Sequence, residues 1–138
     1  MSSQRGEYHF MPPHKGRLKV IGMVDAEQLS GVWGAALASA EGLPFFLLEA
    51  DISEMDGQSP DARRATIKYF HSLPPFAIAV VAKTFAQRAI GKLVIKASRL
   101  LATDQGNLEA SDFFKNSEQA NEWLDSQVDM LKAKAGVD

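Results

Sequence analysis

The stretch PFFLLEADI, residues 44–52, decides the fold class of this chain. Its apolar residues follow one another without the polar alternation of a half-exposed strand. A short run of this kind is typical of a strand that is covered on both faces, as in a parallel sheet. The run FAIAVVA, residues 76–82, has the same character. Together the two runs favour an α/β domain with a largely parallel sheet.

Helix signals surround these two strands. Asp25 and Gln28 have the spacing of a capping box, and Thr84 and Gln87 repeat it. After Asp25, apolar residues recur at the spacing of one buried helix face as far as Gly42, which suits a helix end because glycine accepts positive φ. The predicted helices are 25–42, 60–72, one from near Thr84 to Leu101, and one from Asn116 or Ser117 to Gly136.

Three further strands complete the predicted sheet. Residues 7–11 alternate, with Tyr8 and Phe10 on one face, and a Pro-Pro-containing turn separates them from a second strand at 17–24. We expect these two to pair antiparallel. Residues 108–114 are predicted as an edge strand. The prediction is a single α/β domain at 7–135, with about five strands, an N-terminal antiparallel pair, about four helices and a flexible N-terminus at 1–6.

Composition narrows the class of protein. The 138 residues carry a net charge of −2 and a pI of about 5.9, so no global basic charge attracts nucleic acid or an anionic membrane. There are no cysteines, which excludes disulfides and thiolate metal sites. No apolar run approaches the roughly 20 residues of a transmembrane helix, and the N-terminus lacks the apolar core of a signal peptide. We expect a soluble, cytoplasmic protein without a transmembrane segment.

The sequence contains no motif that binds a metal or a cofactor. His9, His14 and His71 fall in different predicted elements and are not paired at ligand spacing. Neither a phosphate-binding glycine loop nor a nucleophile elbow is present. We therefore predict no metal, no cofactor and no enzymatic activity.

An acid–base active site is the alternative to that prediction. Glu49, Asp51, Glu54 and Asp56 lie close together at the end of a predicted strand, where open α/β sheets place ligands. Paired carboxylates can carry out general acid–base chemistry, but acidic loops are more often simply solvated.

The third predicted helix has two distinct faces. Arg88, Lys92, Lys96 and Arg99 are spaced 4, 4 and 3 apart and form one basic stripe. The stripe suits an acidic partner or lipid headgroups, and a plain solvent-facing side is the alternative. The face predicted to be buried comprises Ala86, Ile90, Leu93, Val94, Ala97, Leu100 and Leu101.

Ser59 raises the question of a cap or a switch. Ser at the N-cap, Pro60 at the first helical position and Asp61 in the first turn form a helix start on physical grounds alone. The same place is electrostatically suited to a phosphate, because exposed helix N–H groups and the positive end of the dipole face it. Arg63 and Arg64 lie one turn away.

Three segments carry a family resemblance that covers roughly residues 7–132. They are LLEADISEMDGQSPDARR, FAIAVVAKTFAQRAIGKL and DFFKNSEQANEWL. The chain resembles the STAS-domain superfamily, and specifically its SpoIIAA-like, anti-sigma-factor-antagonist-like branch. The resemblance implies a bacterial, non-enzymatic regulator that contacts a kinase-like anti-sigma factor through the loop and helix start after the third strand.

The resemblance also implies the candidate partner-contact residues. The family motif is Asp-Ser-Ser-Gly, and a serine in it is phosphorylated. In this chain Asp56 matches the motif Asp, Gly57 and Gln58 occupy the two serine positions, and Ser59 is displaced by one residue. The predicted contact surface is the loop 53–59 with the following helix, and its candidate residues are Ser53, Asp56, Gly57, Gln58, Ser59 and Arg63.

Two further possibilities follow from the resemblance and the pattern. Some STAS-like domains are linked to lipids or small ligands, so the third helix and the pair Phe113–Phe114 are a candidate lining for a pocket that holds a lipid or another small apolar ligand. A homodimer is plausible if either phenylalanine is exposed on the edge strand.

Overall fold

The computed structural model describes residues 6–101 and 108–136, with the side chains of 99–101 excepted. The strands are β1 Gly6–Met11, β2 Lys15–Val24, β3 Phe46–Gln58, β4 Phe76–Val81 and β5 Leu108–Phe114. The helices are α1 Ala26–Ala40, α2 Pro60–Ser72, α3 Phe85–Leu101, α4 Ser117–Ser126 and α5 Val128–Ala135. Of the predicted flexible N-terminus, only Gly6 lies within the described residues, and it begins β1.

The five strands form one sheet in the order β1-β2-β3-β4-β5. β1 and β2 pair antiparallel, with Tyr8 opposite Leu18, and all other neighbours pair parallel. The predicted α/β class, mostly parallel sheet and N-terminal antiparallel pair are therefore confirmed.

The apolar run at 44–52 is explained by helices on both faces of β3. Phe46, Leu48 and Ala50 belong to a core shared with α1, α2 and α3, whereas Phe45 and Leu47 pack with α4 and α5. Because successive side chains of a strand point to opposite faces, a strand buried on both sides shows no polar alternation.

The predicted helix starts are confirmed in atomic detail. Gln28 N donates to Asp25 Oδ1 at 2.8 Å, and Asp25 N donates to Gln28 Oε1 at 3.1 Å, which completes the capping box. Ser59 Oγ accepts from Ala62 N at 3.1 Å. These bonds satisfy amide groups that have no partner inside the helix.

The segment predicted as a loop at 53–59 is instead mostly strand. β3 continues to Gln58, with Met23 opposite Gly57 and Val24 opposite Gln58, and it contains two register irregularities against β2. The pairing with β4 ends at Asp51, so β3 beyond that residue has a strand neighbour on one side only. A strand in that position tolerates the polar residues and the glycine that suggested a loop.

The predicted last helix is two helices, which brings the described helices to five. The interruption lies at Gln127, whose backbone N–H bonds to Leu124 O at 3.0 Å. Just before it, Ser126 Oγ donates to Trp123 O at 2.5 Å. Such a local side-chain bond to the backbone competes with the helical ladder, and no local pattern of apolar residues reveals it.

The buried face of α3 is rotated relative to the prediction. Leu93 is 52% exposed and Ala86 is also exposed, whereas Gln87, Ile95 and Ser98 are buried together with Val94. The predicted Leu100 and Leu101 lie outside the described side chains. Gln87 explains the rotation, because its side chain turns inward to bond with β3.

Candidate functional site

The candidate residues lie at the carboxyl edge of the sheet, where β2, β3 and β4 end and α1, α2 and α3 begin. Open α/β sheets place binding sites outside the carboxyl ends of their strands. We use the name edge surface for the side chains of Met23, Asp56, Ser59 and Arg63, each of which is wholly or partly exposed in this region.

The polar groups of Ser53 are hydrogen-bonded inside the protein. Its backbone N–H and its hydroxyl both donate to Asp51 Oδ1, at 2.9 and 2.6 Å, and its carbonyl accepts from Gln87 Nε2 at 3.0 Å. With its polar groups satisfied inside the protein, Ser53 shapes β3 and presents little to a partner.

Gln87 fastens α3 to the end of β3. Its Nε2 donates to the carbonyls of Ser53 and Met55, and its Oε1 accepts from the backbone N–H groups of Lys83 and Thr84. The helix start is also capped, because Gln87 N donates to Thr84 Oγ1 at 3.1 Å. One buried side chain thus holds the unpaired flank of β3 in a fixed position.

Gly57 is covered by a neighbouring side chain, and Gln58 is partly enclosed. Gly57 is buried under the side chain of Met23, since a Cβ built on it would lie 3.1 Å from Met23 Cε. Gln58 is half-buried, and its Oε1 is enclosed without a hydrogen-bond partner. Met23 itself remains 60% exposed above this pair.

Asp56 and Arg63 are the uncommitted charges of the edge surface. Asp56 is exposed, Arg63 is half-exposed, and neither side chain makes an ion pair or a hydrogen bond within the described part of the chain. The charged residues near them are paired, Glu54 with Lys19 and Asp61 with Arg64. The bond to Glu54 raises the pKa of Lys19 above its ordinary value. Two free charges of opposite sign are thus available to a partner.

The strand-end carboxylates do not converge on a cleft. Glu49 and Asp51 are buried under α4, where Arg17 Nε lies 3.1 Å from Glu49 Oε2 and Arg17 Nη2 lies 3.3 Å from Asp51 Oδ2. Asn121 Nδ2 donates to Glu49 Oε1 at 2.8 Å, and Ser53 donates to the remaining oxygen of Asp51. Every oxygen of this pair has a partner, so the pair anchors β2, β3 and α4 to one another.

An apolar cavity lies between the sheet and the layer formed by α1, α2 and α3. It has a volume of about 50 Å³, and its walls include Leu18, Trp33, Phe70, Val80, Ile90 and Val94. Gln58 reaches the same cavity. Neither Phe113 nor Phe114 is among the residues that line this cavity. Phe113 packs against the core below α3, and Phe114 packs against Trp123 on the opposite face.

No group of three potential metal-ligating side chains occurs among residues 6–101 and 108–136. In the same described part of the chain, no helix is long and apolar enough to cross a membrane.

No protein-family model matches this chain, and no curated protein matches it either. Solved structures do. An uncharacterized DUF3478-family protein with a SpoIIAA-like fold from Shewanella loihica PV-4 aligns with a TM-score of 0.62 at 19% identity, over 90% of this chain and 98% of that one. This chain has a SpoIIAA-like fold. An anti-sigma factor antagonist from Mycobacterium paratuberculosis aligns with a TM-score of 0.59 at 15% identity, over 87% of this chain and 92% of that one.

Two exposed apolar residues of this SpoIIAA-like fold were not predicted from the sequence pattern. Phe85 is 79% exposed and Met23 is 60% exposed. The position of Phe85 was available from sequence, because the Thr84–Gln87 capping box sets the rotation of α3 and turns Phe85 outward. The exposure of Met23 was also predictable, because the residues of β2 alternate between buried and more exposed positions without a break from Lys15 to Val24.

Proposed function

We propose that this protein is a non-enzymatic regulatory module that binds a protein partner through its edge surface. The observation that carries the proposal is the pair of uncommitted charges, Asp56 and Arg63, beside the exposed Met23. Exposed apolar side chains with adjacent unpaired charges supply both the desolvation and the charge complementarity of a protein interface. The contact surface rests on β3, whose shape at this end is set by Ser53, Gly57 and Gln58.

The partner that fits best is an anti-sigma kinase-like protein in a bacterial cytoplasm. Support comes from the motif resemblance and from the fold shared with a protein named as an anti-sigma factor antagonist. Regulation by phosphorylation of Ser59 has weaker support. The Ser59 hydroxyl is occupied as the cap of α2, and Gly57 and Gln58 stand at the serine positions of the family motif.

Quantitative affinity purification with single-residue variants tests this proposal. Asp56→Ala and Arg63→Ala should each reduce recovery of a specific partner by about tenfold, as expected for a residue that contributes strongly to an interface. Lys68→Ala, an exposed site further along α2, is the matched control and should leave recovery unchanged. A partner that is indifferent to both edge-surface variants would contradict the site assignment.

The cavity favours a second candidate function, the binding of a small apolar molecule. Its walls are apolar, and the enclosed Gln58 Oε1 is an acceptor without a donor. Leaving a buried acceptor unpaired costs about 1–3 kcal/mol. A ligand with an apolar body and one hydroxyl or amine would relieve that cost. At about 50 Å³ the cavity admits only a few heavy atoms unless α2 and α3 move apart.

Native mass spectrometry of the protein purified without detergent tests this second candidate. A bound mass that disappears in Val94→Phe, which fills the cavity, would support it. Leu93→Phe, on the exposed side of the same helix, is the control and should retain the mass. An unliganded mass in every preparation would contradict the candidate.

A further inference from the structure

The outward side of α3 is both basic and apolar. Phe85 is 79% exposed and Leu93 is 52% exposed, although both are large apolar side chains. Lys92 and Lys96 are exposed on the same side, and Arg88 is half-exposed. We call the set Phe85, Arg88, Ala89, Lys92, Leu93 and Lys96 the cationic face of α3. The side chain of Arg99, which extends the basic stripe in sequence, lies outside those described.

Helix geometry places these six residues together. At 3.6 residues per turn they fall within an arc of about 140°, with Phe85, Lys92 and Lys96 near its centre. The arc extends about 16 Å along the helix axis. The opposite side of α3, which includes Gln87, Val94 and Ser98, is buried against the rest of the domain. The cationic face is therefore a convex outer surface.

The charge on this face is not neutralised within the protein. α3, FAQRAIGKLVIKASRLL, contains no Asp or Glu along its whole length. Within residues 6–101 and 108–136, no ion pair involves Arg88, Lys92 or Lys96. Lys92 Nζ lies 5.9 Å from the centre of the Phe113 ring, a contact that leaves its charge in place. The whole chain is nevertheless acidic, with a net charge of −2.

We propose that the cationic face of α3 binds the surface of anionic phospholipid membranes. Basic side chains are attracted to anionic headgroups, and Phe and Leu side chains between them enter the headgroup–acyl boundary. A fluid lipid surface adapts to a convex face, whereas a folded acidic protein would need a matching groove. Because the opposite side of α3 belongs to the core, the helix lies on the membrane and does not span it.

Co-sedimentation of the full chain with lipid vesicles tests this proposal. The protein should bind vesicles made of equal parts phosphatidylglycerol and phosphatidylcholine, and should not bind pure phosphatidylcholine. Lys92→Glu/Lys96→Glu should weaken binding by about tenfold or more. Lys132→Glu/Lys134→Glu, an equal charge change on α5, is the matched control and should bind like the wild type. Circular dichroism establishes that each variant is folded.

Substitution of the apolar residues on the cationic face distinguishes binding to a membrane from binding to other polyanions. Phe85→Ser/Leu93→Ser keeps every charge, so a membrane interaction predicts that it too loses binding by about tenfold, from lost apolar burial. Undiminished binding of this variant would show charge attraction alone, as to an acidic protein or nucleic acid, and would overturn the lipid assignment. Absence of binding to anionic vesicles, or equal loss in the α5 control, would also overturn it.

Discussion

At the scale of single residues, Ser59 acts as a helix cap. Its hydroxyl accepts from Ala62 N, and its own N–H donates to Val24 O at 3.0 Å, so it joins the end of β2 to the start of α2. A serine in this position is held by the fold, whether or not a kinase reaches it.

The cap leads to a stability prediction for Ser59. Ser59→Ala should lower the free energy of unfolding by about 1 kcal/mol, because the Ala62 N–H loses its partner. Ser59→Asp should lower the free energy of unfolding much less, because a carboxylate caps a helix equally well and interacts favourably with the helix dipole. Urea denaturation measures both. Equal losses in the two variants would show that the cap is not what Ser59 contributes.

His14 carries a pH prediction. Burial, with Lys132 and Lys15 nearby, lowers the pKa of His14 below its ordinary 6.5. Its Nδ1 is enclosed without a partner, so the charged ring has no acceptor there. The unfolded chain therefore takes up this proton more readily than the folded protein. The contribution of His14 to stability is complete above the unfolded pKa and declines as the pH falls toward the folded pKa.

Replacing His14 should reduce that acid sensitivity. Between about pH 8 and about pH 5, His14→Gln should lose less stability than the wild type, because no proton has to be taken up at this site. Chemical denaturation at a series of pH values measures the difference. A variant that loses more stability in acid than the wild type would contradict the direction of the shift.

At the scale of elements, two helical glycines have opposite roles. Gly91 of α3 packs so closely on β5 that an added Cβ would lie 2.8 Å from Phe113 Cε2. Gly34 of α1 is exposed and has no atom within 4 Å of an added Cβ. The first glycine is required for contact between two elements, whereas the second only weakens its own helix.

Alanine substitutions separate these two roles. Gly34→Ala should stabilise the protein by about 0.5–1 kcal/mol, through helix propensity and unfolded-state entropy. Gly91→Ala gains the same propensity but forces the Phe113 ring to move, at a cost of about 1–3 kcal/mol, so it should destabilise or be neutral. Thermal and urea denaturation compare the pair. Equal stabilisation by both would mean that α3 and β5 are not packed this closely.

At the scale of the whole molecule, local signals in the sequence predicted the architecture. The capping residues Asp25 and Ser59 and the apolar runs at 44–52 and 76–82 act over a few neighbours, so their consequences can be inferred without tertiary contacts. They were sufficient for the α/β class, the N-terminal antiparallel pair and the mostly parallel sheet.

The remaining features depend on contacts between distant parts of the chain. β3 extends to Gln58 because β2 pairs with it, and α3 is rotated because Gln87 bonds to carbonyls 32 and 34 residues away. The burial of Glu49 and Asp51 depends on Arg17 and on α4. From composition alone, acidic residues at the end of a strand are expected to be exposed to solvent.

Site-specific photo-crosslinking in cells tests the central claim, that the edge surface binds a protein partner. A photoreactive side chain at Met23 should yield one discrete crosslinked partner, and Asp56→Ala in the same chain should remove it. The same probe at Ser72, at the far end of α2, should yield none. A partner captured equally well from Ser72, or from Met23 regardless of Asp56→Ala, would contradict the account.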